Sequence, residues 1–455
     1  MTLIVFIPAL LCILALLRWG PRGAFLNVCL PILILCPTYF YWKTGGFPAL
    51  DFGMTVFLPL GVYLFWSHVP RWRFSRADAW LAVYIFTFAF ADLKAGQTSL
   101  AKYRLFNVVV MALIPYMAGK VLIEQPRARI ATARRIVGLL CLTCVLSIPE
   151  FFIKLNLFVR EWIRFFPGEW PGWQTQMRWG FARVAGPYGS AELFGMILIF
   201  GWILSLWLRM WSSAQHGRAR FPWTSHKLAA LFALALLTLT LYMTQSRGPW
   251  LGAFIAISAA SVGRAKNVVR QALIVGALAL VVGIPAYTAF QSYSSGPRTN
   301  YGSERETAQY RAQLLDNYLP LAKAGGAWGW GQFYPEMGGQ ASVDNEFLRV
   351  YLSQGYVGVV AFILIFAEAS YSLLRVGLGA RSRQNRHFSF SMLGIVLGWA
   401  FTLSTVYLGL QSYQLFFLLI GWSQAIPLMI DNFAKQRETV THTMKESPEL
   451  TRVYT

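Results

Sequence analysis

Charge is scarce in this chain. Asp, Glu, Lys and Arg make up only 13% of the 455 residues, about half the share a soluble domain carries. Acid is scarcer than base, 19 Asp and Glu against 40 Lys and Arg. The few histidines (His68, His216, His226, His387 and His442) stand apart from one another, and no metal-ligand spacing links them to Cys, Asp or Glu. That removes the usual zinc chemistries from consideration. Cys12, Cys29, Cys36, Cys141 and Cys144 all fall inside apolar runs. The Cys141-x-x-Cys144 pair lies on an apolar stretch without neighbouring His, so it reads as buried thiols rather than a redox or metal motif. No charged leader and no cleavage site accompany the first apolar run, Met1–Leu17, which reads as a span that stays in place. No internal repeat is visible.

What is present is apolar: 56% hydrophobic and 16% aromatic residues. Long apolar runs recur near 2–17, 24–41, 49–67, 78–92, 105–124, 136–154, 190–208, 228–244, 249–263, 270–290, 346–374, 388–409 and 412–430. About thirteen membrane spans are expected, and the fold class is all-α, a polytopic membrane helical bundle. Three regions follow: transmembrane helices over 1–154, a membrane region over 155–430 that includes a long, partly helical outer loop at 291–343, and a cytoplasmic tail over 431–455. A net charge of +21 in a soluble chain points to nucleic acid. Here basic loops beside anionic lipid account for it, so membrane lipid is the expected partner and nucleic acid is not. With the C-terminus inside, alternate loops and the tail hold most of the Lys and Arg, which fixes the orientation as N-out, C-in.

The remaining long loops face outward. At Tyr242–Gly252, Ser246-Arg247-Gly248-Pro249 forms a tight hairpin between two apolar runs, with Pro249 suited to a first helical turn. Free backbone N–H groups and the helix dipole then favour an anion beside Arg247. The competing reading is an arginine that snorkels to lipid headgroups. The loop Asn156–Ser190 interleaves Phe158, Trp162, Phe165, Phe166, Trp170, Trp173, Trp179 and Phe181 with Arg160, Arg164, Arg178 and Arg183. It fits either an interfacial helix or a platform for sugar rings. It ends in the turn Arg183-Val-Ala-Gly-Pro-Tyr188-Gly-Ser-Ala-Glu192, where Glu192 also suits a first-turn dipole partner.

In the loop 291–343, Ser303-Glu-Arg-Glu306 has the form of a capping box, so a helix is expected to start there. Tyr310, Leu314, Tyr318 and Leu321 form an apolar stripe, with Arg311 off it. Gly325-Gly-Ala-Trp-Gly-Trp-Gly331 then breaks the helix. The chain re-enters the membrane at Ser342-Val-Asp344-Asn345-Glu346-Phe-Leu348. Arg183, Arg247 and Arg311 thus gather on the outer face with no carboxylate partner evident in the sequence. Ionisable groups at such places are functional suspects, and guanidinium forks suit phosphate oxygens. With every His on inner loops or in the tail, a general base on the outer side has to be a carboxylate. Asp344 is best placed, unless it only caps the helix that follows, and Glu346 is its rival.

Taken in order, Arg183…Gly186-Pro187, Ser246-Arg247-Gly248, Arg311 ahead of Gly329-Trp-Gly331, and Asp344-Asn345-Glu346-Phe347-Leu348…Gly355-Tyr-Val-Gly358 resemble the bacterial O-antigen ligase and O-antigen polymerase superfamily over roughly residues 180–375. The resemblance implies a GT-C-like bundle of the inner membrane that transfers glycan from undecaprenyl diphosphate at the periplasmic face, with no metal or other cofactor. It implies that Arg247 and Arg311 hold the diphosphate with support from Arg183, and that Tyr188, Glu192 and Asn345 are further substrate contacts. Ligases of the family generally carry His where this chain has Asp344, which favours the exopolysaccharide or capsule polymerase branch. Expected partners are the lipid-linked donor, a glycan acceptor and other polysaccharide export proteins. A ligase acting on lipid A-core or protein is the alternative, and a non-enzymatic transporter of lipid-linked glycan is the rival from another class. Transporters usually place ionisable groups near the midplane of two related halves, which this chain lacks.

Overall fold

In lipid each backbone N–H and C=O has to find its partner within its own segment or a closed sheet, so apolar runs of this kind become helices. The computed structural model describes residues 2–38, 40–44, 46–125, 128–160, 175–215, 225–294, 303–337, 342–409 and 411–428. Helices cover Ile7–Ala24 (α1), Leu30–Leu35 (α2), Phe52–His68 (α3), Arg76–Lys94 (α4), Thr98–Val108 (α5), Ile114–Leu122 (α6) and Ala128–Ile153 (α7). They continue with Ala191–Gln215 (α8), Ser225–Met243 (α9), Arg247–Arg264 (α10), Val268–Ser294 (α11), Ser303–Ala324 (α12), Glu346–Gly379 (α13) and Arg383–Leu403 (α14). A last helix, α15, covers 411–428. Sheet among the described residues is limited to two small hairpins, Tyr41–Trp42 with Leu50–Asp51 and Met177–Arg178 with Phe181–Ala182. Among the described residues, six helical stretches are long and apolar enough to cross a membrane, and Phe52–His68 and Leu228–Met243 are shorter apolar helices. The chain is an all-α polytopic membrane protein.

Two long apolar stretches are not single rods. From Leu3 to Leu35 the helix is interrupted at Gly20, whose φ is 70°. Cys12 and Cys29 are 17 residues apart, about 25 Å along a straight helix, yet their Sγ atoms lie 3.8 Å apart. The chain therefore doubles back at Gly20, as the two separate runs in the sequence predicted. The second reversal corrects an expectation. The run 346–374 reads as one span, but Gly355 (φ 71°) divides α13. The Phe347 ring sits 5.5 Å from Phe362 and 5.9 Å from Phe366, so the half-helix before Gly355 lies folded against the span after it.

The bundle has two chemically distinct ends. At one, Lys120 meets Asp78, Arg129 meets Glu124 and Asn385, and Arg264 bonds His387. This basic end collects the loops between α3 and α4, α6 and α7, α10 and α11, and α13 and α14. At the other end the loops around 36–38, 183–190, 244–247 and 404–411 come together: Gln411 Nε2 donates to Pro187 O (2.9 Å), and Thr38 Oγ1 donates to Gln411 Oε1 (3.1 Å). α10 and α14 join the two ends in close antiparallel contact through small residues. A Cβ on Gly252 would lie 2.7 Å from Gly398 O, and one on Gly394 would lie 2.3 Å from Ala256 O. Helix packing in lipid depends on such van der Waals fit, since tails are as apolar as side chains. The contact brings the first turn of α10 against Thr405, because a Cβ on Gly248 would meet Thr405 Oγ1 at 2.3 Å.

Candidate functional site

The site begins at the hairpin between α9 and α10. Gln245, a non-glycine residue at φ 49°, turns the chain, and Ser246 is the N-cap residue ahead of Arg247. Such a backbone persists only where its surroundings hold it. Arg178 donates to Gln245 O at 2.6 Å. Arg183 donates from Nε to Thr244 O at 3.3 Å and from Nη2 to Ser246 Oγ at 2.8 Å. It also bonds the side chains of Gln176 and Glu192, and only 7% of it is exposed. The expectation that all three arginines lack a carboxylate therefore fails for Arg183. Glu192, nine positions on and across a turn, is its partner, and their buried ion pair braces the hairpin.

The turn carrying Arg183 is itself held from α7. Glu150 Oε2 accepts from the backbone N–H groups of Ala185 (3.2 Å) and Gly186 (3.0 Å), and its Oε1 accepts from Asn156 Nδ2 (3.0 Å). Tyr188, expected to touch substrate, is 1% exposed. It stacks on Phe194 and donates to Ile34 O at 3.3 Å. It packs the turn. Of the aromatic platform, Trp162, Phe165, Phe166, Trp170 and Trp173 lie outside the described residues.

Arg311 arrives from α12. This helix starts at Ser303 as predicted; the side chains of its capping box lie outside the described residues. Its apolar stripe meets protein: Leu314, Tyr318 and Ala322 are buried with Val343, Leu348 and Leu352, and Tyr310 and Leu321 pack against them. Off that stripe, Arg311 Nη2 reaches Thr405 O at 3.5 Å. Burial lowers the Arg311 pKa from the ordinary arginine value; the carboxylates of Glu192 and Asp344 oppose this, and the like charges of Arg183 and Arg247 add to it. One guanidinium thus senses every charged residue expected in the site. The like charges of Arg183 and Arg247 both act against the Arg311 guanidinium, and an anion entering beside it opposes that repulsion.

The loop at 342–345 supplies Asp344. Asn345, not Asp344, caps α13: its Oδ1 accepts from Leu348 N at 3.1 Å. That assigns Asn345, expected as a substrate contact, to the backbone. It also removes the capping role from Asp344, whose Oδ1 accepts instead from Ser342 Oγ at 2.7 Å. Glu346, the rival carboxylate, is fully buried. It is gripped by Arg349 through Nε and Nη2, both at 2.8 Å, and by Leu408 N at 2.8 Å. Asp344 is the carboxylate of this loop that the helix does not consume.

The glycines around Gly329 and Gly355 lock the half-helix in place. Trp330 N and Gly331 N donate to Leu352 O (2.9 Å) and Ser353 O (3.0 Å), while Tyr356 N and Val357 N donate to Gly326 O and Ala327 O, both at 3.2 Å. A Cβ on Gly355 would lie 2.3 Å from Ala327 O, and one on Gly329 would lie 2.5 Å from Gly355 N. Only glycine permits this approach, and both positions also need positive φ. Asp92 on α4 fastens the loop, accepting from Gln332 N at 2.8 Å while paired with Arg104 at 3.1 Å. Sequence reasoning missed Arg349, Glu150 and the Asp92–Arg104 pair. Of these, Arg349 was readable, since Glu346 and Arg349 sit at the i,i+3 spacing of a helical ion pair.

The structure therefore brings Arg183, Glu192, Arg247, Arg311 and Asp344 to one end of the bundle, with Tyr188 packed on Phe194 and Asn345 Oδ1 capping α13. A comparison with family models matches residues 232–363 to O-Antigen ligase. A comparison with curated proteins finds no match. The matched segment holds Arg247, Arg311, Asp344 and the reversal at Gly355, so residues 232–363 form an O-antigen ligase-like region.

Proposed function

We propose that the protein is an inverting glycosyltransferase that polymerises undecaprenyl-diphosphate-linked oligosaccharide repeat units into a surface polysaccharide. It works at the periplasmic face of the bacterial inner membrane. The observation that carries this reading is a convergence at the end of the bundle remote from the basic loops: Arg311 Nη2 reaches Thr405 O, Gly248 beside Arg247 packs on Thr405, and Tyr310 beside Arg311 holds Ser342, which bonds Asp344. By the positive-inside rule the basic end is cytoplasmic, so the site opens on the opposite side.

In the reaction, a hydroxyl oxygen of the acceptor glycan attacks the anomeric carbon from the side opposite the diphosphate. The carbon–oxygen bond to the diphosphate breaks, and undecaprenyl diphosphate leaves with the bonding electrons. The hydroxyl proton passes to the Asp344 carboxylate. Negative charge grows on the leaving diphosphate, so Arg247 and Arg311 hold the transition state more tightly than the ground state. Arg183 keeps Ser246 and Thr244 in place beneath Arg247 and acts at one remove. A carboxylate where ligases of the family generally carry His supports polymerisation, with another lipid-linked chain as acceptor, over transfer to lipid A-core or protein.

The test uses purified protein in detergent, supplied with the undecaprenyl-diphosphate-linked repeat unit extracted from cells lacking the gene. A polymerase lengthens the glycan there, whereas a transporter has no membrane to act across and leaves it unchanged. Arg247→Ala and Arg311→Ala abolish lengthening at normal protein level, and lysine at either position restores little because a point charge cannot reproduce the bidentate fork. Normal polymer from either alanine variant removes the diphosphate clamp from the mechanism.

A further inference from the structure

A base works only when held within hydrogen-bond reach of the proton it takes, and misplacement by about 1 Å costs orders of magnitude. Asp344 sits on a segment without regular structure, between the end of the long loop and the Asn345 cap. Two hydrogen bonds constrain it. Ser342 Oγ donates to Asp344 Oδ1 at 2.7 Å, and the Tyr310 hydroxyl donates to the carbonyl oxygen of Ser342. Tyr310 immediately precedes Arg311 on α12, so a single turn of one helix holds the base loop through one residue and faces Thr405 through the next.

We propose that Ser342 is a positioning residue for glycan transfer: its hydroxyl holds one oxygen of the Asp344 carboxylate, and Tyr310 anchors Ser342 from the helix that carries Arg311. The inference rests on the base role of Asp344 proposed above. With Oδ1 occupied, Oδ2 is the oxygen presented to the acceptor hydroxyl. Ser342 is exposed, so its side chain contributes little to packing and its hydroxyl is replaceable without opening a cavity. The tether also registers the base against the arginines. A shift of α12 that moves Arg311 moves Asp344 with it, so the two ends of the reacting system keep their spacing.

The experiment measures kcat and KM for the undecaprenyl-diphosphate-linked repeat unit in detergent with four single variants and one double variant. Ser342→Ala lowers kcat about tenfold with KM unchanged. Ser342→Thr, which keeps the hydroxyl, recovers most of kcat. Tyr310→Phe gives a smaller loss in kcat, because Ser342 Oγ still reaches the carboxylate. Asp344→Asn loses nearly all transfer, and adding Ser342→Ala to it leaves the residual rate unchanged, since a positioning residue has no effect once the group it positions is gone. Wild-type kcat in Ser342→Ala beside a nearly inactive Asp344→Asn overturns the positioning role and leaves the base reading standing. Equal loss in the alanine and threonine variants, or a rise in KM with falling protein yield, makes Ser342 structural and overturns it as well. Active Asp344→Asn overturns the base reading and this inference together.

Discussion

Glu346→Gln changes charge with almost no change of shape, and the structure makes its consequence severe. The Glu346 carboxylate is fully buried, with both oxygens on Arg349 and one also accepting from Leu408 N. Glutamine keeps an oxygen for Leu408 N, but it strands the Arg349 guanidinium without its counter-charge. Breaking a buried pair from one side costs about 3–5 kcal/mol; Arg349 keeps 27% side-chain exposure, so part of its charge is solvated and the low end, about 3 kcal/mol, applies. That is roughly a hundredfold in the ratio of folded to unfolded protein. The assay is thermal melting of the detergent-solubilised protein, followed by fluorescence size exclusion. A second substitution, Arg349→Met, added to Glu346→Gln removes the stranded charge and recovers most of the loss. An unchanged melting temperature for Glu346→Gln, or no recovery in the double variant, refutes the reasoning. Read from sequence alone, Glu346 is a rival for the base role, and its amide is expected to keep substantial activity if Asp344 is the base; the buried pair adds a cost in stability that this reading does not contain.

Arg183→Ala strands Glu192 and deletes the bonds to Thr244 and Ser246. It lowers the melting temperature by an amount equivalent to about 3 kcal/mol, where the sequence reading, which places Arg183 in support, expects only a milder loss of product than at Arg247 or Arg311. Gly355→Ala forces a side chain to φ 71° and to 2.3 Å from Ala327 O. Left-handed backbone costs about 1–2 kcal/mol and overpacking about 1–3 kcal/mol, so the docked loop opens and limited proteolysis cuts within 325–331 faster than in the wild type.

Much of the site was legible because its residues announce themselves locally. Ser246-Arg247-Gly248-Pro249 between two apolar runs is a hairpin by composition, and the Tyr310–Leu321 stripe is an amphipathic helix by period. Partners across the fold were not legible. Arg183 finds Glu192 nine residues away but Ser246 63 residues away, and only the packed bundle sets the second distance. The reversal at Gly355 was hidden for another reason: a chain that turns back inside an apolar run keeps the hydropathy of one that runs straight. Asp344 and Asn345 cap helices about equally well, so the choice between them rests on backbone geometry that neighbouring residue types do not encode. The bond from Tyr188 to Ile34 O was not legible either, because a tyrosine in a glycine-rich turn looks equally apt for a ligand or for a distant carbonyl.

The half-helix that begins at Glu346 also sets an order on assembly. Its walls come from opposite ends of the chain: Thr87 and Asp92 near the start, and Leu408, whose N–H holds Glu346, near the finish. During synthesis the earlier wall is inserted long before the later one exists. Arg311 likewise waits for Thr405. A nascent chain that has reached Asp344 therefore carries every residue of the site and still cannot close it until Thr405 and Leu408 follow. The final pair of helices acts as the key that arms the enzyme, so a product truncated before them is expected to insert, persist and remain inert.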